Sequence, residues 1–532
     1  MSFKIMNNMI ILNKIKKLPV FILCMATLAG CTSKFDEYNR DPSQPTDEEI
    51  MEGNYKLGAF FPQMLNYAYP AQENAYQMGE NLIGDPYGRY LSVANSGWST
   101  TFAFFNAPDG WINSPFNDAF EKVYGGWSQV NQQTNGEGHL FAWAEIVRVT
   151  AMQRLTDMYG PLPYSKIQSG SIAVGYDSQE EVYNGMLNDL DNAIKVLTDF
   201  VNENPSYRGM ASFDGVYGSD FTKWIKYANS LKLRMAVRIC YANPTLAKQK
   251  AEEAVKHSIG VITSNDDNTE NPFPQNPIWT VVVNWQDSKP CADIVSYMLG
   301  YNDPRISKYF TPTTLEGAVD EYLGIRTGYA LPGSGVTQKY SNSTYTRTDK
   351  TLWMPASEIA FLKAEGALRG WDMGGTAQQF YEEGIKLSFD QWGAGGVDTY
   401  IVDETAKPAD FNDPDPAVAA KALSTITIKW DESVDFETKL ERLITQKWIA
   451  MYPLGQEAWS DNRRTGYPRF FPVLQNSSDD PNLTTRLASR IPFPPIEKDN
   501  NAQNYEEAVQ LLGGPDKYGT KLWWDKNPNK GW

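Results

Sequence analysis

From Leu140 to Met158 the apolar residues fall at three- and four-residue steps: Leu140, Trp143, Val147, Ala151, Leu155 and Met158. That spacing lays one apolar stripe along a helix, and Gly160-Pro161 stops it. Ser178-Gln179-Glu180-Glu181 has the form of a capping box. Val182, Met186, Leu190, Ile194 and Leu197 continue from it on a single face. A third stripe begins near Asp220 with Trp224, Ala228, Leu231, Met235 and Ile239, and a shorter one follows Pro244 through Ala247, Ala251 and Ala254. The same periodicity predicts helices over roughly 356–370, 376–391 and 436–452. Thr46-Asp47-Glu48-Glu49 is a further capping box and should open an earlier helix.

Each of these helices is too thin to bury its stripe alone, so neighbours must pack as pairs around a shared core. The pattern predicts a mostly α fold of TPR-like helix pairs within about 136–258 and 356–470, although no clean repeat of about 34 residues is present. The stretches 84–116, 260–350 and 393–435 lack long periodic runs. At those lengths they are either functional or folded into small elements of their own. No block rich in strands stands out; Thr280-Val281-Val282-Val283 is the one short candidate.

The first 17 residues are basic and polar, and Leu18 to Gly30 form a mostly apolar run. Thirteen residues are too few to span a bilayer, which needs about 20. A charged start, a short apolar middle and small residues before a cut describe an export signal over residues 1–30. Leu28-Ala29-Gly30-Cys31 is similar to the lipobox of bacterial lipoproteins, in which the Cys is acylated and becomes the mature N-terminus. Several acyl chains on Cys31 would make anchoring effectively permanent, at about 0.8 kcal/mol per buried methylene. Residues 31–45, polar and containing Pro42 and Pro45, read as a lipidated tether, and the remaining body, 46–532, as one unit.

Charge narrows the partners. The chain has 48 Lys+Arg against 64 Asp+Glu, a formal charge of -16; removing residues 1–30 takes four Lys and no acid, leaving 44 against 64, or -20. A body so acidic repels phosphate backbones, which speaks against nucleic acid as a partner. Two His and four Cys leave little for zinc or His-dependent triads, and His139 and His257 read as ordinary helix-surface or packing residues. Cys240 and Cys291 remain after processing, Cys240 as a buried thiol; whether they pair is open. Asn265-Asp266-Asp267-Asn268 and the Asp410–Asp415 stretch are oxygen-rich but lack EF-hand spacing, so they read as solvated turns and no metal is expected.

Several strings occur in order along the mature chain. They are Leu155-Thr156-Asp157-Met158-Tyr159-Gly160-Pro161, Lys223-Trp224 with Asn229 to Arg234, Asp303-Pro304-Arg305, Ser357-Glu358 with Ala364-Glu365, and Gln446-Lys447-Trp448. Glu457-Ala458-Trp459-Ser460-Asp461-Asn462-Arg463-Arg464-Thr465-Gly466 follows, then Ile491 to Glu497 and Leu522-Trp523-Trp524-Asp525. Behind a lipobox, this set resembles the SusD/RagB family of outer-membrane nutrient-binding lipoproteins. The resemblance implies about four TPR-like helix pairs as a scaffold with irregular segments packed on it. It also implies a non-catalytic, surface-exposed protein without a cofactor. Such a protein captures oligosaccharides and acts as a lid on a SusC-like, TonB-dependent barrel. Some members of the family handle peptides, so a RagB-like peptide binder is the alternative. A helical glycoside hydrolase is a third reading, because 64 acids leave material for a catalytic carboxylate pair.

The strings themselves read as folding devices. Asp157 should cap or pair locally, Arg463 and Arg464 should find partners such as Asp461, and Trp523 and Trp524 should clip the tail to the body. Ligand capture is expected in the aromatic-rich segment 84–116, with 260–350 as the second ligand-loop region. A pyranose ring has an apolar face and a belt of hydroxyls; flat aromatic rings match the first, and Asn, Asp and Gln match the second. Trp98 and Trp111 are the leading candidates, with Phe102 and Tyr90 beside them, and each Trp is either a ligand platform or core packing. Trp279 and Trp285, flanked by Asn284 and Gln286, form a second pair, and Tyr322 is a weaker addition.

Overall fold

The computed structural model describes residues 55–167 and 173–530. The signal segment, Cys31, the tether and the capping box at Thr46 lie outside the described residues. The chain divides into two units, Met1–Lys56 and Leu57–Trp532, and the description below is of the second.

The N-terminal third winds short helices where no long stripe exists: α1 (Phe61–Ala68), α2 (Gly84–Gly88), α3 (Asp109–Asp118) and α4 (Gly125–Thr134). The long, striped helices follow. α5 (Gly138–Tyr159) ends where Gly160 takes φ +97°, a backbone state that L side chains rarely adopt. α6 (Gln179–Glu203) opens with both bonds of the predicted capping box in place. In α7 (Phe221–Arg238) the Asp220 carboxylate caps the first turn. α8 (Pro244–Lys256) starts with Pro244 at its first position, where the N–H that proline lacks would have no partner within the helix. After α9 (Ala292–Gly300) come α10 (Ala356–Leu368) and α11 (Ala377–Gln391), the latter with a second complete capping box from Thr376 and Gln379. α12 (Phe436–Ala450), α13 (Gly455–Thr465) and α14 (Ala502–Leu512) complete the set.

α5 packs on α6, α6 on α7, α7 on α8 and α10 on α11, so the apolar stripes face one another as TPR-like pairs; α12 closes against both α10 and α11. The stripes feed one large core containing Trp143, Trp224, Trp353, Trp448, Trp459 and Trp524. α13 lies against α2, and three glycines permit the approach. A Cβ on Gly88 would stand 2.3 Å from the Gly455 carbonyl oxygen, and one on Gly84 2.5 Å from the Gln456 nitrogen.

The strings quoted above meet in a buried ionic network. Arg234 on α7 grips Glu358 on α10 through Nε and Nη2, both at 2.7 Å, with 4% and 0% of the two side chains exposed. Arg238 pairs with Glu457 on α13, Arg464 with Glu365 on α10, and Lys447 on α12 with Asp461 at 2.6 Å. Burial alone would raise Glu457, but Arg238 and Arg234 outweigh it and hold the carboxyl down at about 2. Arg464 also reaches Asp461 at 3.0 Å, the intramolecular partner expected for it. Arg463 instead donates to the Asp157 and Ser489 carbonyls and lies 3.5 Å from the Trp459 ring centroid.

Asp157 pairs locally as expected, accepting Gln153 Nε2 at 2.6 Å one turn back on α5, and it also reaches far along the chain. It takes hydrogen bonds from Tyr183 Oη at 2.6 Å and from Trp524 Nε1 at 2.9 Å, so it is itself the clip that holds the C-terminal tail. Thr280 to Val283 are not a strand. They belong to a helical turn, Trp279–Asn284, capped when the Trp279 N–H donates to Asn276 Oδ1 at 3.0 Å, and Val281 and Val282 point into the core. The strands present are short: β1 (Leu91–Val93), β2 (Thr269–Asn271), β3 (Ser288–Pro290) and β4 (Thr351–Met354). β1 pairs antiparallel with β3, matching Leu91 to Pro290, and β2 with β4.

Candidate functional site

The β1–β3 pairing brings the two expected ligand-loop regions together. Beyond the strands the Ala94 N–H donates to the Asp287 carbonyl at 2.8 Å, and Asn95 Nδ2 donates to Asp287 Oδ1 at the same distance. Asp287 also accepts Gln77 Nε2 at 2.9 Å, which ties the junction to the helical body. From this junction the chain turns: the Gly97 N–H donates to Asn95 Oδ1 at 3.0 Å, and Trp98 follows. A second turn, 101–106, is closed by the Thr101 N–H on Asn106 Oδ1 at 3.0 Å and pinned by Tyr87 Oη on the Phe102 carbonyl at 2.8 Å.

The outcome is a pair of tryptophans. Trp98 and Trp111 stand edge to face, with ring centroids 5.2 Å apart and planes at 78°. Both are partly buried, packed on the core at one side. Trp98 lines a cleft of about 250 Å³, shared with Asn95, Ser96 and Ser99 on its own loop and with Tyr329, Leu331 and Gln475 from distant segments. No Asp or Glu lines this cleft among the described residues. At its edge Tyr329 Oη donates to Asp415 Oδ2 at 3.1 Å, and burial together with that carboxylate pushes the phenol up to about 12, so it stays protonated. A flat ring set beside hydroxyls and amides, without an ionised group, can hold a neutral polyol through its apolar face and its hydroxyl edge.

The other candidates divide. Tyr90 is fully buried; its hydroxyl donates to the Trp448 carbonyl and its ring stacks on Trp448. Phe102 is fully buried too and supports Trp111 from beneath, at 6.4 Å between centroids. Both therefore serve the core: Tyr90 lies in a fully buried run, and the turn 101–106 folds Phe102 inward even though residues 96, 97, 99 and 100 before it are exposed. Tyr322 is buried as well. Trp285 is 41% exposed and sits two residues before Asp287, hence beside the Asn95 junction, while Trp279 is partly buried one turn earlier. Lys289, on β3 beyond this junction, is buried and lowered to about 8 by that burial, donating to Gln286 Oε1 at 3.3 Å.

Tyr329, Leu331 and Gln475 carry no signal in the sequence. Nothing in Gly328-Tyr329-Ala330-Leu331-Pro332-Gly333 distinguishes it from an ordinary loop, and Gln475 lies in a Ser/Asn/Asp-rich stretch. Their place beside Trp98 comes from long-range backbone bonds. The Leu474 N–H donates to the Thr327 carbonyl at 3.1 Å, and the Ser477 N–H to the Phe104 carbonyl at 3.0 Å. Segment 84–116 also proves less irregular than expected, since α2 and much of α3 lie within it.

Comparison with known proteins gives the geometry a context. Residues 37–525 match the SusD-like family model, described as SusD and RagB outer membrane lipoprotein. A chitin-binding SusD homolog from Flavobacterium johnsoniae superposes with a TM-score of 0.85 at 38% identity, covering 89% of this chain and 99% of its own. A SusD homolog from Bacteroides uniformis gives 0.83 at 42% identity over 89% and 100% of the two chains. A third, from Bacteroides thetaiotaomicron, gives 0.84 at 38% over 89% and 100%. Among curated proteins, none matches. No helix among the described residues is long and apolar enough to cross a membrane. With the helix pairs, the ionic network that joins them and the match over most of its length, the chain belongs to the SusD-like family of outer-membrane lipoproteins.

Proposed function

We propose that this protein is held at the cell surface by acyl chains on Cys31, captures oligosaccharides on Trp98 and Trp111 without altering them, and hands them to a SusC-like TonB-dependent barrel. The observation that carries the reading is the edge-to-face tryptophan pair beside a cleft of amides and hydroxyls. Two planes at nearly a right angle suit a chain that bends, since successive sugar rings can each meet a face. Trp285 extends the same surface across the Asn95–Asp287 junction.

Among the described residues no carboxylate pair flanks the cleft lining, which favours binding over hydrolysis, because both glycosidase mechanisms need two carboxyl groups flanking the bond. Likeness to a chitin-binding relative makes N-acetylglucosamine oligomers the first ligands to try. The test is calorimetric titration of the purified mature protein with a panel of neutral oligosaccharides and a panel of peptides, with reducing ends assayed afterwards. Saturable binding of an oligosaccharide with no new reducing ends is expected. Binding of peptides alone, or release of reducing sugar, would overturn the reading.

A further inference from the structure

A second and roomier cleft, about 430 Å³, is lined by Phe470 and Phe471 together with the 465–469 and 484–487 stretches. Its charge is opposite to that of the protein. Arg89, Arg469, Arg486 and Lys530 all line it, with Thr484 and Asn462 among the neutral groups, and no carboxylate does among the described residues. This is a concentration of four cations in a chain of formal charge -16.

Three of the four already have acids. Arg469 reaches Glu441 at 3.2 Å, Arg486 reaches Asp480 at 2.7 Å, and Lys530 pairs with Asp525. Arg89 does not. It is 2% exposed, its Nη2 makes one hydrogen bond, to the Phe471 carbonyl at 3.3 Å, and its Nε has no partner. No ion pair reaches it among the described residues. The nearby acid, Asp293, has both oxygens engaged, by the Phe471 N–H at 2.7 Å and by Cys291 Sγ at 3.2 Å. The adjacent Arg326 adds like charge and donates to the Val418 and Pro472 carbonyls at 2.9 and 2.6 Å. A guanidinium carries five donors in a planar fork; here the Phe470 ring lies 5.9 Å away, and burying the charge with Nε unpartnered and no acid is costly unless an anion completes it.

The geometry points to an oxyanion site, separate from the tryptophan cleft, that takes the carboxylate or sulfate ester of a sugar-sized molecule. The Arg89 fork would grip two oxygens at once, as guanidinium does with planar or tetrahedral oxyanions. Arg486 would supply field at the rim and the buried Lys530 from beneath, and Thr484 and Asn462 would meet hydroxyls.

Equilibrium titration of the full mature protein with galacturonate, galactose 6-sulfate, galactose and inorganic sulfate tests this. At least one acidic sugar should bind ten times or more tightly than galactose, weakening as salt rises. Arg89→Gln should remove at least tenfold of that affinity. If Arg89→Gln fails to fold, Arg486→Gln and Lys530→Gln should each weaken binding severalfold. Trp98→Ala should leave it unchanged. The carboxylate and sulfate arms decide between the two acids. Acidic sugars that bind no better than galactose, inorganic sulfate binding as well as either sugar, affinity indifferent to the cleft variants, or a loss with Trp98→Ala equal to that with Arg89→Gln would each overturn the proposal.

Discussion

Aromatic rings a few positions apart have opposite fates in this protein, and the difference lies in partners far along the chain. Trp98 has one edge on Trp111 and an open cleft beside it, whereas Tyr90, eight positions earlier, is sealed by Trp448. Local sequence shows aromatics among Gly, Asn and Ser in both places, which is why the candidate segment was legible and the choice of ring was not. His139 makes the same point in a titratable group. Its ring lies flat on Phe200 at 3.9 Å between centroids, and burial lowers its pKa from 6.5 to about 4. The neutral ring is favoured in the folded state, so the unfolded chain binds more protons between pH 6.5 and 4 and stability falls as pH drops through that window. Solvent screening trims the effect to about 1 kcal/mol between pH 7 and 5. Melting temperatures of wild type and His139→Phe at the two pH values check it: the variant should lose less on acidification, and equal losses would contradict the assignment.

At the scale of elements, stripes and caps were readable because they are local. The Ser178 capping box and the Gly160 stop appear where the spacing placed them. Short helices such as α2 and α13 were not predicted by periodicity, since glycines at their crossing, rather than apolar stripes, let them approach. The polar strings read as folding devices from the sequence, but most of their partners were hidden, because the acids and bases pair across elements far apart along the chain. Arg234 and Glu358 join α7 to α10 in this way, with almost no exposure to relieve a lost partner. Glu358→Ala should therefore destabilise the fold by about 3–5 kcal/mol, read by chemical denaturation. Adding Arg234→Met should restore much of the loss, because the stranded charge is gone; a loss below about 1 kcal/mol in the single variant would show that the pair is dispensable.

At the scale of the whole molecule, the proposed function asks two separate things: acyl chains on Cys31 and a ligand surface on the helical body. The acidic balance discouraged nucleic-acid partners from the outset, and it also makes the basic cleft around Arg89 stand apart from the rest of the protein. Cys31→Ala should move the protein from the membrane pellet to the soluble fraction in a detergent-free fractionation of cells; continued sedimentation would count against acylation at that residue. Capture without chemistry, as proposed, rests on Trp98. The direct measurement is calorimetric affinity of Trp98→Ala for an oligosaccharide bound by the wild type, with melting temperature as the control. The account predicts an affinity at least tenfold lower, about 1.4 kcal/mol, with the melting temperature within about 2 °C of wild type. Unchanged affinity in a well-folded variant would contradict it.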